Sequence, residues 1–253
     1  MRVLVTGGAR RIGAAIVRHL AAAGHKVAVH HHDSHDEAEA LAAELGVALV
    51  TADLADAAET RGLVQAAAEV LGGPVEGLVN NASLFAWDAL PVADYAGLDR
   101  HMHVNLGAPL VLASAMAAQT GLAEGAIVNL LDQKLDNPNP DFLTYTLSKA
   151  GLAEATRLLA MALAPRIRVN AVSPGISLPS LDQGDAEFAR ASTQNLLERQ
   201  VDLGDIARTV EHLLAARSIT GQNVFVDCGQ RFVRREGDVM FDGRARPDVR
   251  PHG

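Results

Sequence analysis

The sequence predicts a single α/β domain built on a parallel β-sheet. Short runs of β-branched residues alternate with longer alanine-rich stretches of helical periodicity along most of the chain. The 253 residues suffice for one large core, and 49% of them are hydrophobic against 21% charged. Strands that alternate with helices form βαβ units, whose right-handed crossovers make the strands parallel.

The predicted elements follow one another in a regular order. Strands are predicted at 2–7, 26–32, 47–54, 75–83, 125–131, 167–175 and 222–229. Helices are predicted at 12–24, 36–46, 57–72, 95–120, 144–164 and 203–216. Neither an internal repeat nor an interdomain linker interrupts this order.

Charge and cysteine content exclude several classes of partner. The net charge of −8 argues against nucleic acid or an anionic membrane as the main partner. One cysteine, Cys228, allows no internal disulfide, and it is predicted to be buried and inert in the last strand. The chain starts directly on a strand-like run and has no run of about 18 apolar residues. A cytoplasmic protein without a membrane span is therefore expected.

The run "VTGGARRIG" places glycines at 7, 8 and 13 between the first strand and the first helix. Glycines at such a turn let the backbone approach a pyrophosphate, and the helix N-terminus supplies amides and positive dipole. Arg10 and Arg11 add charge that favours phosphate. The ordinary alternative is a glycine-rich turn with two surface arginines, because the spacing differs from G-x-G-x-x-G.

Polar residues follow other predicted strands. Asp53 follows the third strand, where a carboxylate can accept from an adenine amino group, and Asn80 and Asn81 follow the fourth. Asparagine also serves turns without any ligand, so both interpretations hold. Residues 30–32 are three histidines, but consecutive strand residues point to opposite faces, so no metal site is predicted there.

Tyr145 and Lys149 lie four residues apart in a predicted helix and therefore share one face. A nearby ammonium favours the phenolate, so Lys149 is expected to lower the pKa of Tyr145. Such a tyrosine would donate and accept protons near neutral pH.

These motifs together resemble the short-chain dehydrogenase/reductase (SDR) family. They are "TGGARRIG" at 6–13, "NNAS" at 80–83, "HVN" at 103–105, "YTLSK" at 145–149 and "SPG" at 173–175. The resemblance implies a single-domain Rossmann fold over residues 1–230, with a doubly wound parallel sheet of about seven strands. It also implies a nicotinamide cofactor and a homodimer or homotetramer. By resemblance, Asn105 supports a proton-relay water, Tyr145 donates the proton, and Lys149 holds the ribose.

The resemblance also implies a cofactor-binding set along the carboxyl ends of the strands. Its members are Gly7, Arg10, Arg11, Ile12, Gly13, His31, His32, Ser34, Asp53, Leu54, Asn81, Ala82, Ser83, Tyr145, Lys149, Pro174, Gly175 and Ser177. An acidic residue at the end of the second strand would bind a ribose 2′-hydroxyl and repel a 2′-phosphate. Histidines stand there, which favours NADP(H) over NAD(H), although Asp33 is contrary evidence.

Two departures from the usual SDR pattern narrow the resemblance. Arg11 stands where the family has a central glycine, and Asp132 replaces the serine thirteen residues before the tyrosine. Both departures occur together in the pteridine reductases and dihydromonapterin reductases, a branch of the same family. Further similarities are "NASLF" at 81–85, "HHHDS" at 30–34 and "PGIS" at 174–177.

The chemistry of Asp132 fits this branch. An ionised aspartate accepts hydrogen bonds and cannot donate one to a carbonyl oxygen, so it suits N–H groups or a nitrogen that is being protonated. The resemblance implies NADPH-dependent reduction of a pteridine ring C=N, on a dihydropterin or dihydrofolate. Phe85 would cover the flat ring. The expected substrate contacts are Arg11, Ser83, Phe85, Asp132 and Tyr145.

Simpler interpretations remain beside these. Asp132 can be a loop or helix-capping carboxylate, and Phe85 can be a core residue. The alternative activity is that of a general SDR acting on a carbonyl or alcohol, and a non-catalytic nucleotide sensor is a third hypothesis. Intact Asn105, Tyr145 and Lys149 argue against the sensor.

Two segments fall outside the βαβ pattern. Residues 176–200 follow the sixth strand at the ligand-binding edge of the sheet and are predicted to form a substrate lid. Residues 231–253 form a tail with six arginines. The tail is either a solvated terminus or an arm that reaches a neighbouring subunit.

Overall fold

Seven parallel strands form one sheet in the order β3-β2-β1-β4-β5-β6-β7, so the predicted doubly wound α/β architecture is confirmed. The structure is a computed structural model, and it describes residues 1–90, 95–179 and 183–241. The strands are β1 (Arg2–Val5), β2 (Lys26–His31), β3 (Ala48–Thr51), β4 (Gly77–Asn80), β5 (Gly125–Leu130), β6 (Ile167–Pro174) and β7 (Asn223–Val226).

Eight α-helices connect or follow these strands within the described residues. They are α1 (Arg11–Ala22), α2 (His35–Leu45), α3 (Ala57–Leu71), α4 (Tyr95–Met102), α5 (Ala108–Ala118), α6 (Leu143–Leu163), α7 (Asp185–Ser192) and α8 (Leu203–Ala215). Short helical turns add His103–Gly107, Gln133–Leu135, Gln230–Phe232 and Val239–Phe241. No helix in the described ranges is long and apolar enough to cross a membrane.

The two faces of the sheet carry separate apolar layers. Helices α1 and α8 contribute Ile16, Leu20, Ile206 and Val210 to the layer on one face. Helices α3 and α5 contribute residues such as Leu63 and Leu112 to the other face. Every residue of β5 is buried, as expected for a central parallel strand covered on both faces.

The single helix predicted over 95–120 is wrong in its middle. Helix α4 ends at Met102, a π-helical turn occupies His103–Gly107, and α5 begins at Ala108. The turn contains Asn105, which is 1% exposed and hydrogen-bonds the chain at Leu84 through both ends of its amide. A π turn inserts one residue into a helix and is frequent at functional sites. Hydrophobic periodicity alone does not reveal it.

The chain order reverses between β1 and β4, which are neighbours in the sheet. A crevice opens at such a switch point, outside the carboxyl ends of the strands. The glycine-rich turn follows β1 there, and the "NNAS" run follows β4. The topology thus brings the two predicted cofactor motifs together.

The described part of the predicted tail packs against the rest of the chain. Residues 230–241, here called the C-terminal segment, fold back onto the loop 131–142 that joins β5 to α6. Arg244, Arg246 and Arg250 lie outside the described residues. Cys228 was predicted to be buried within the last strand, but it follows β7, is half-buried, and has a positive φ of 52°.

The predicted lid at 176–200 contains the short helix α7 and is described except for residues 180–182. Hydrogen bonds link its two ends to each other and its first residue to the C-terminal segment. The side chain of Gln200 donates to the carbonyl of Ser177 at 3.0 Å, and the amide of Ile176 donates to Oε1 of Gln230 at 2.9 Å. Its described parts therefore connect the end of β6 to the C-terminal segment.

Candidate active site

The turn after β1 has no space for side chains at two of its glycines. Gly7 has a φ of +59°, and a Cβ added there would lie 2.9 Å from Cα of Ala82. A Cβ on Gly13 would lie 2.2 Å from the Gly7 carbonyl oxygen. The Asn81 amide donates to the carbonyls of Thr6 and Gly7 at 3.0 and 2.9 Å. The turn is therefore a tight backbone cradle at the N-terminus of α1.

His30 supports this cradle, a role that the sequence did not suggest. Its Nδ1 accepts from the Gly7 amide at 3.1 Å, and its Nε2 bonds the Ala52 carbonyl at 3.0 Å. Burial lowers the pKa of His30 to about 4, so the ring is neutral, with its proton on Nε2. His31 bonds Thr51 instead, and His32 lies beside Asp33. The three histidines diverge, as strand geometry predicts.

Arg11 adopts the backbone conformation that glycine prefers. Its φ is +55°, in the left-handed region, and its guanidinium Nη2 donates to the Pro179 carbonyl at 2.9 Å. The backbone at Arg11 therefore keeps the conformation that glycine would have, while the Arg11 side chain reaches the predicted lid. Arg10 instead forms an exposed ion pair with Glu37 at 3.5 Å.

Replacing Arg11 with glycine should separate backbone strain from side-chain function. The left-handed conformation costs a non-glycine residue about 1–2 kcal/mol, so Arg11→Gly should unfold at an equal or higher temperature. The Michaelis constant for the nucleotide should nevertheless rise, because the cation and its link to Pro179 are lost. Calorimetry and steady-state kinetics check both outcomes. Arg10→Gly, at an ordinary φ of −136°, is the control and should gain no stability.

At the end of β2 the buried polar side chains are neutral, and the one carboxylate, that of Asp33, points to solvent. His31 is 6% exposed, and Ser34 is 9% exposed at the start of α2. The side chain of Asp33 is 85% exposed, beside His32 at 3.5 Å. In the loop after β3, Asp53 accepts from the amide of Ala55 at 2.8 Å, and Leu54 beside it is buried. The adenine contact expected of Asp53 stays a prediction.

The catalytic candidates on α6 meet Asp132. The Tyr145 hydroxyl donates to Oδ2 of Asp132 at 2.8 Å. Nζ of Lys149 donates to the Leu130 carbonyl at 2.8 Å and lies 5.8 Å from the centre of the Tyr145 ring. Tyr145 and Lys149 are buried, at 6% and 3% exposure. The register that pairs β4 with β5 ends just before this group, so the switch-point crevice adjoins it.

Asp132 also has the simpler role that the sequence allowed. Its Oδ1 accepts from the amide of Lys134 at 2.8 Å and caps the helical turn Gln133–Leu135. One carboxylate oxygen thus holds the loop, and the other accepts from Tyr145. The capping and functional interpretations are compatible.

The pKa of Tyr145 shifts in the direction opposite to the one predicted from the sequence. Burial and the facing Asp132 carboxylate raise the pKa of Tyr145 well above its usual value. Burial also raises the pKa of Asp132 and lowers that of Lys149 to about 8. The prediction that Lys149 makes Tyr145 more acidic is therefore wrong in this structure, because desolvation and the carboxylate outweigh the ammonium.

Asn105 holds the loop that follows β4. Its Oδ1 accepts from the Leu84 amide at 2.7 Å and from the Ser83 hydroxyl at 3.3 Å. Its Nδ2 donates to the Leu84 carbonyl and to Ser148 at 2.9 and 3.0 Å. The predicted water relay through Asn105 stays a prediction, since these bonds use the amide to orient the loop.

An aromatic surface borders Tyr145. Phe85 stacks on Phe142 with ring centres 4.2 Å apart, and its ring meets Tyr145 edge-on at 4.8 Å. Phe85 is 47% exposed, so the core-packing alternative does not describe it. Phe142 was not predicted; it is 2% exposed with a φ of +55°. Its only sequence signal is that it directly precedes α6.

A family comparison decides the class of the chain. Residues 7–231 match the family model described as enoyl-(acyl carrier protein) reductase. The chain belongs to the short-chain dehydrogenase/reductase family. The resemblance based on the sequence motifs is thereby confirmed, and the chain is an SDR oxidoreductase by family.

Relatives of this SDR include enzymes of two kinds. The crystal structure of FolM alternative dihydrofolate reductase 1 from Brucella suis, in complex with NADP, has a TM-score of 0.88 and 46% identity; the match covers 92% of this chain and 96% of that one. Dihydromonapterin reductase from an Enterobacter species is 28% identical, over 90% and 95% of the two chains. The 3-oxoacyl-[acyl-carrier-protein] reductase FabG of Staphylococcus aureus is 33% identical, over 89% and 96%.

The SDR structure brings most predicted residues to one edge of the sheet. Gly175 is about as tightly confined as Gly7, because a Cβ there would lie 2.8 Å from Cα of Asp227. Pro174 and Ser177 beside it are buried. Ile12 packs on the core at the start of α1. Ser83 bonds Asn105 rather than a residue of the phosphate turn, and Arg10 is engaged with Glu37.

Proposed function

We propose that this SDR reduces a C=N bond of a pteridine ring with NADPH, converting a dihydropterin or dihydrofolate to the tetrahydro form. The observation that carries the proposal is the 2.8 Å hydrogen bond from Tyr145 to Asp132. A carboxylate that accepts from the tyrosine suits a substrate that presents N–H donors and a nitrogen to be protonated. The 46% identity to a FolM dihydrofolate reductase supports the same substrate class.

The residues of the switch-point crevice fit a nicotinamide dinucleotide. The cradle at Gly7 and Gly13 closes this tightly only because both residues lack side chains. The first backbone amides of a helix lack intrahelical partners, so those at the N-terminus of α1 would bind a pyrophosphate there. His31, His32 and Ser34 would surround a ribose 2′-phosphate without a buried carboxylate, so NADP(H) is proposed over NAD(H).

When bound, NADPH supplies the hydride that goes to the ring carbon. The chain's own residues then supply the proton to the ring nitrogen. Burial raises the pKa of Tyr145 and of Asp132, so this pair retains a proton near neutral pH. Proton transfer from the Tyr145 hydroxyl leaves a phenolate charge, which is offset by Lys149, whose Nζ lies 5.8 Å from the centre of the Tyr145 ring.

The aromatic surface beside Tyr145 would receive the flat heterocycle. Phe85 is half-exposed and held by its stack with Phe142, so it can cover one face of a ring. Asp132 and Ser83 would contact the polar edge of the ring, and Arg11 would contact both phosphate and substrate. These roles are those expected from the sequence.

The alternative is a general SDR that reduces a carbonyl or oxidises an alcohol. The 33% identity to a 3-oxoacyl-[acyl-carrier-protein] reductase favours it. Asp132 argues against it, because an ionised carboxylate beside Tyr145 cannot donate to a carbonyl oxygen.

A substrate panel tests the proposal. Purified protein is mixed with NADPH or NADH and with dihydromonapterin, dihydrofolate, or a set of aldehydes and ketones, and the loss of reduced-nucleotide absorbance is followed. Turnover of a dihydropterin or dihydrofolate with NADPH supports the proposal. Turnover restricted to carbonyl compounds assigns the chain to the alternative.

We further propose a cytoplasmic homodimer or homotetramer. Helix α6 exposes Leu147, Leu158 and Met161 at 52%, 57% and 77%, which is more apolar side chain than a solvated helix face usually shows. Light scattering of the purified protein measures the subunit number, and a monomer would overturn this part of the proposal.

A further inference from the structure

Lys134 is a buried cation that the mechanism does not use. It is 4% exposed and lies in the loop 131–142, two residues after Asp132. A lysine is almost never this buried unless it is paired. Its Nζ donates to the Asp141 carbonyl at 2.6 Å and to Oδ2 of Asp238 at 3.1 Å, and it lies 5.2 Å from the centre of the Phe142 ring.

The same lysine touches the catalytic group through its backbone. Its amide donates to Oδ1 of Asp132, whose other oxygen accepts from Tyr145. Lys134 therefore contacts both candidate elements of the site, the Asp132 carboxylate and the Phe142 ring that supports Phe85. A shift of this residue, backbone and side chain together, would disturb both contacts.

Asp238 brings the C-terminal segment into this arrangement. Besides the ion pair, its amide donates to Oδ2 of Asp141 at 2.8 Å. Asn137 donates to the Val233 carbonyl at 2.7 Å. Phe241 lies parallel to Phe142 at 6.0 Å. The segment thus holds the loop at three points.

We propose that Lys134 and Asp238 are positioning residues: their buried ion pair lets the C-terminal segment hold Asp132 and Phe142 in the geometry that catalysis needs. The proposal rests on the proposed function only in that Asp132 and Tyr145 are taken as the proton-transfer pair. It does not depend on which substrate receives the proton.

Because Lys134 and Asp238 are charged, the proposal predicts a change in the pH dependence of activity, which a purely packing role would not produce. The charged and titratable groups around the Tyr145–Asp132 pair are Lys149 on α6, His101 on α4, Lys134 and Asp141 in the loop, and Asp238 in the C-terminal segment. Lys134 lowers the pKa of Asp132, and Asp238 raises that of Tyr145. Removing the two charges should therefore shift the pH dependence in opposite directions.

The test compares Lys134→Met, Asp238→Asn and the double variant in the full chain. Lys134→Met should lower kcat roughly tenfold, within the ~100-fold that a misplacement of about 1 Å can cause. Loss of the Lys134 charge should raise the pKa of Asp132 and move the acidic limb of the pH–kcat profile to higher pH in Lys134→Met, whereas loss of the Asp238 charge should lower the pKa of Tyr145 and move the basic limb to lower pH in Asp238→Asn. The double variant should show both shifts and therefore the narrowest profile. Glu124→Gln, which breaks an exposed pair with Arg217, is the control and should change neither quantity.

Trp87 reports independently on docking of the segment. It is the only tryptophan, and its ring meets Phe241 edge-on at 6.1 Å. Its emission should shift to longer wavelength in each single variant and recover in the double variant, in which no buried charge is left unpaired. The fluorescence measurement needs no substrate, and it remains informative if Lys134→Met is too unstable for kinetics.

The kinetic arm uses whichever compound the wild-type chain reduces. Turnover of carbonyls alone would contradict the pteridine proposal and leave this test intact. The positioning proposal is overturned if kcat stays within twofold of wild type in both single variants. It is also overturned if both variants lose kcat without a shift of the pH profile, because that result describes a purely structural pair.

Discussion

Tyr145→Phe should lower kcat by about 10²- to 10⁴-fold, the usual range for loss of a general acid. The substitution removes one oxygen from a buried ring whose packing against Phe85 is otherwise kept. Nucleotide binding should change little, because Lys149 keeps its bond to the Leu130 carbonyl. Steady-state kinetics and nucleotide titration by fluorescence check the two parts.

Tyr95→Phe is the matched control for this variant. Tyr95 is the other of the two tyrosines and is 79% exposed at the start of α4. Its substitution should leave kcat unchanged. If Tyr145→Phe retained more than a tenth of the wild-type kcat, the proton would have another source, and the role assigned to the Tyr145–Asp132 pair would be wrong.

Gly13→Ala should abolish tight nucleotide binding and destabilise the fold. The added methyl group would lie 2.2 Å from the Gly7 carbonyl oxygen and 2.7 Å from Nδ2 of Asn81, so the phosphate turn and its asparagine support must move. Overpacking of this kind costs about 1–3 kcal/mol. For a domain of this size, that cost lowers the melting temperature by roughly 3–10 °C. Calorimetry and nucleotide titration measure both effects.

Gly62→Ala is the control: the same substitution at a glycine with free space around it should stabilise the fold instead of destabilising it. Gly62 is exposed within α3, and a Cβ there meets nothing within 4 Å. Alanine should therefore stabilise the chain by about 0.5–1 kcal/mol, through its better helix propensity. Unchanged nucleotide binding in Gly13→Ala would show that the turn does not hold the cofactor.

The sequence predicted the sheet and the grouping of several candidate residues because both depend on local patterns. Each predicted strand overlaps an observed one, since buried parallel strands are continuous apolar runs that end at turn residues. Tyr145 and Lys149 meet by helix periodicity alone. Asp132 stood out because its chemistry differs from that of serine, and the structure places it against Tyr145.

What the sequence did not predict depends on contacts between distant segments. His30 supports Gly7 across 23 residues, and Lys134 pairs with Asp238 across 104 residues. No periodicity encodes such pairs. The direction of the Tyr145 pKa shift was mispredicted for a related reason: the sequence shows which charges are neighbours along a helix, but it does not show how deeply they are buried.

The central claim is that Asp132 adapts an SDR site to a ring nitrogen, and Asp132→Ser tests it most directly. The measurement is kcat/KM with NADPH for dihydromonapterin or dihydrofolate and for a carbonyl compound, in the wild type and in the variant. We expect the wild type to prefer the dihydropterin or dihydrofolate. The serine should remove this preference, because a hydroxyl donates to carbonyl oxygen where the carboxylate accepts from nitrogen. A wild type that reduces only carbonyls, or a variant that reduces the dihydropterin as well as the wild type does, would contradict the claim.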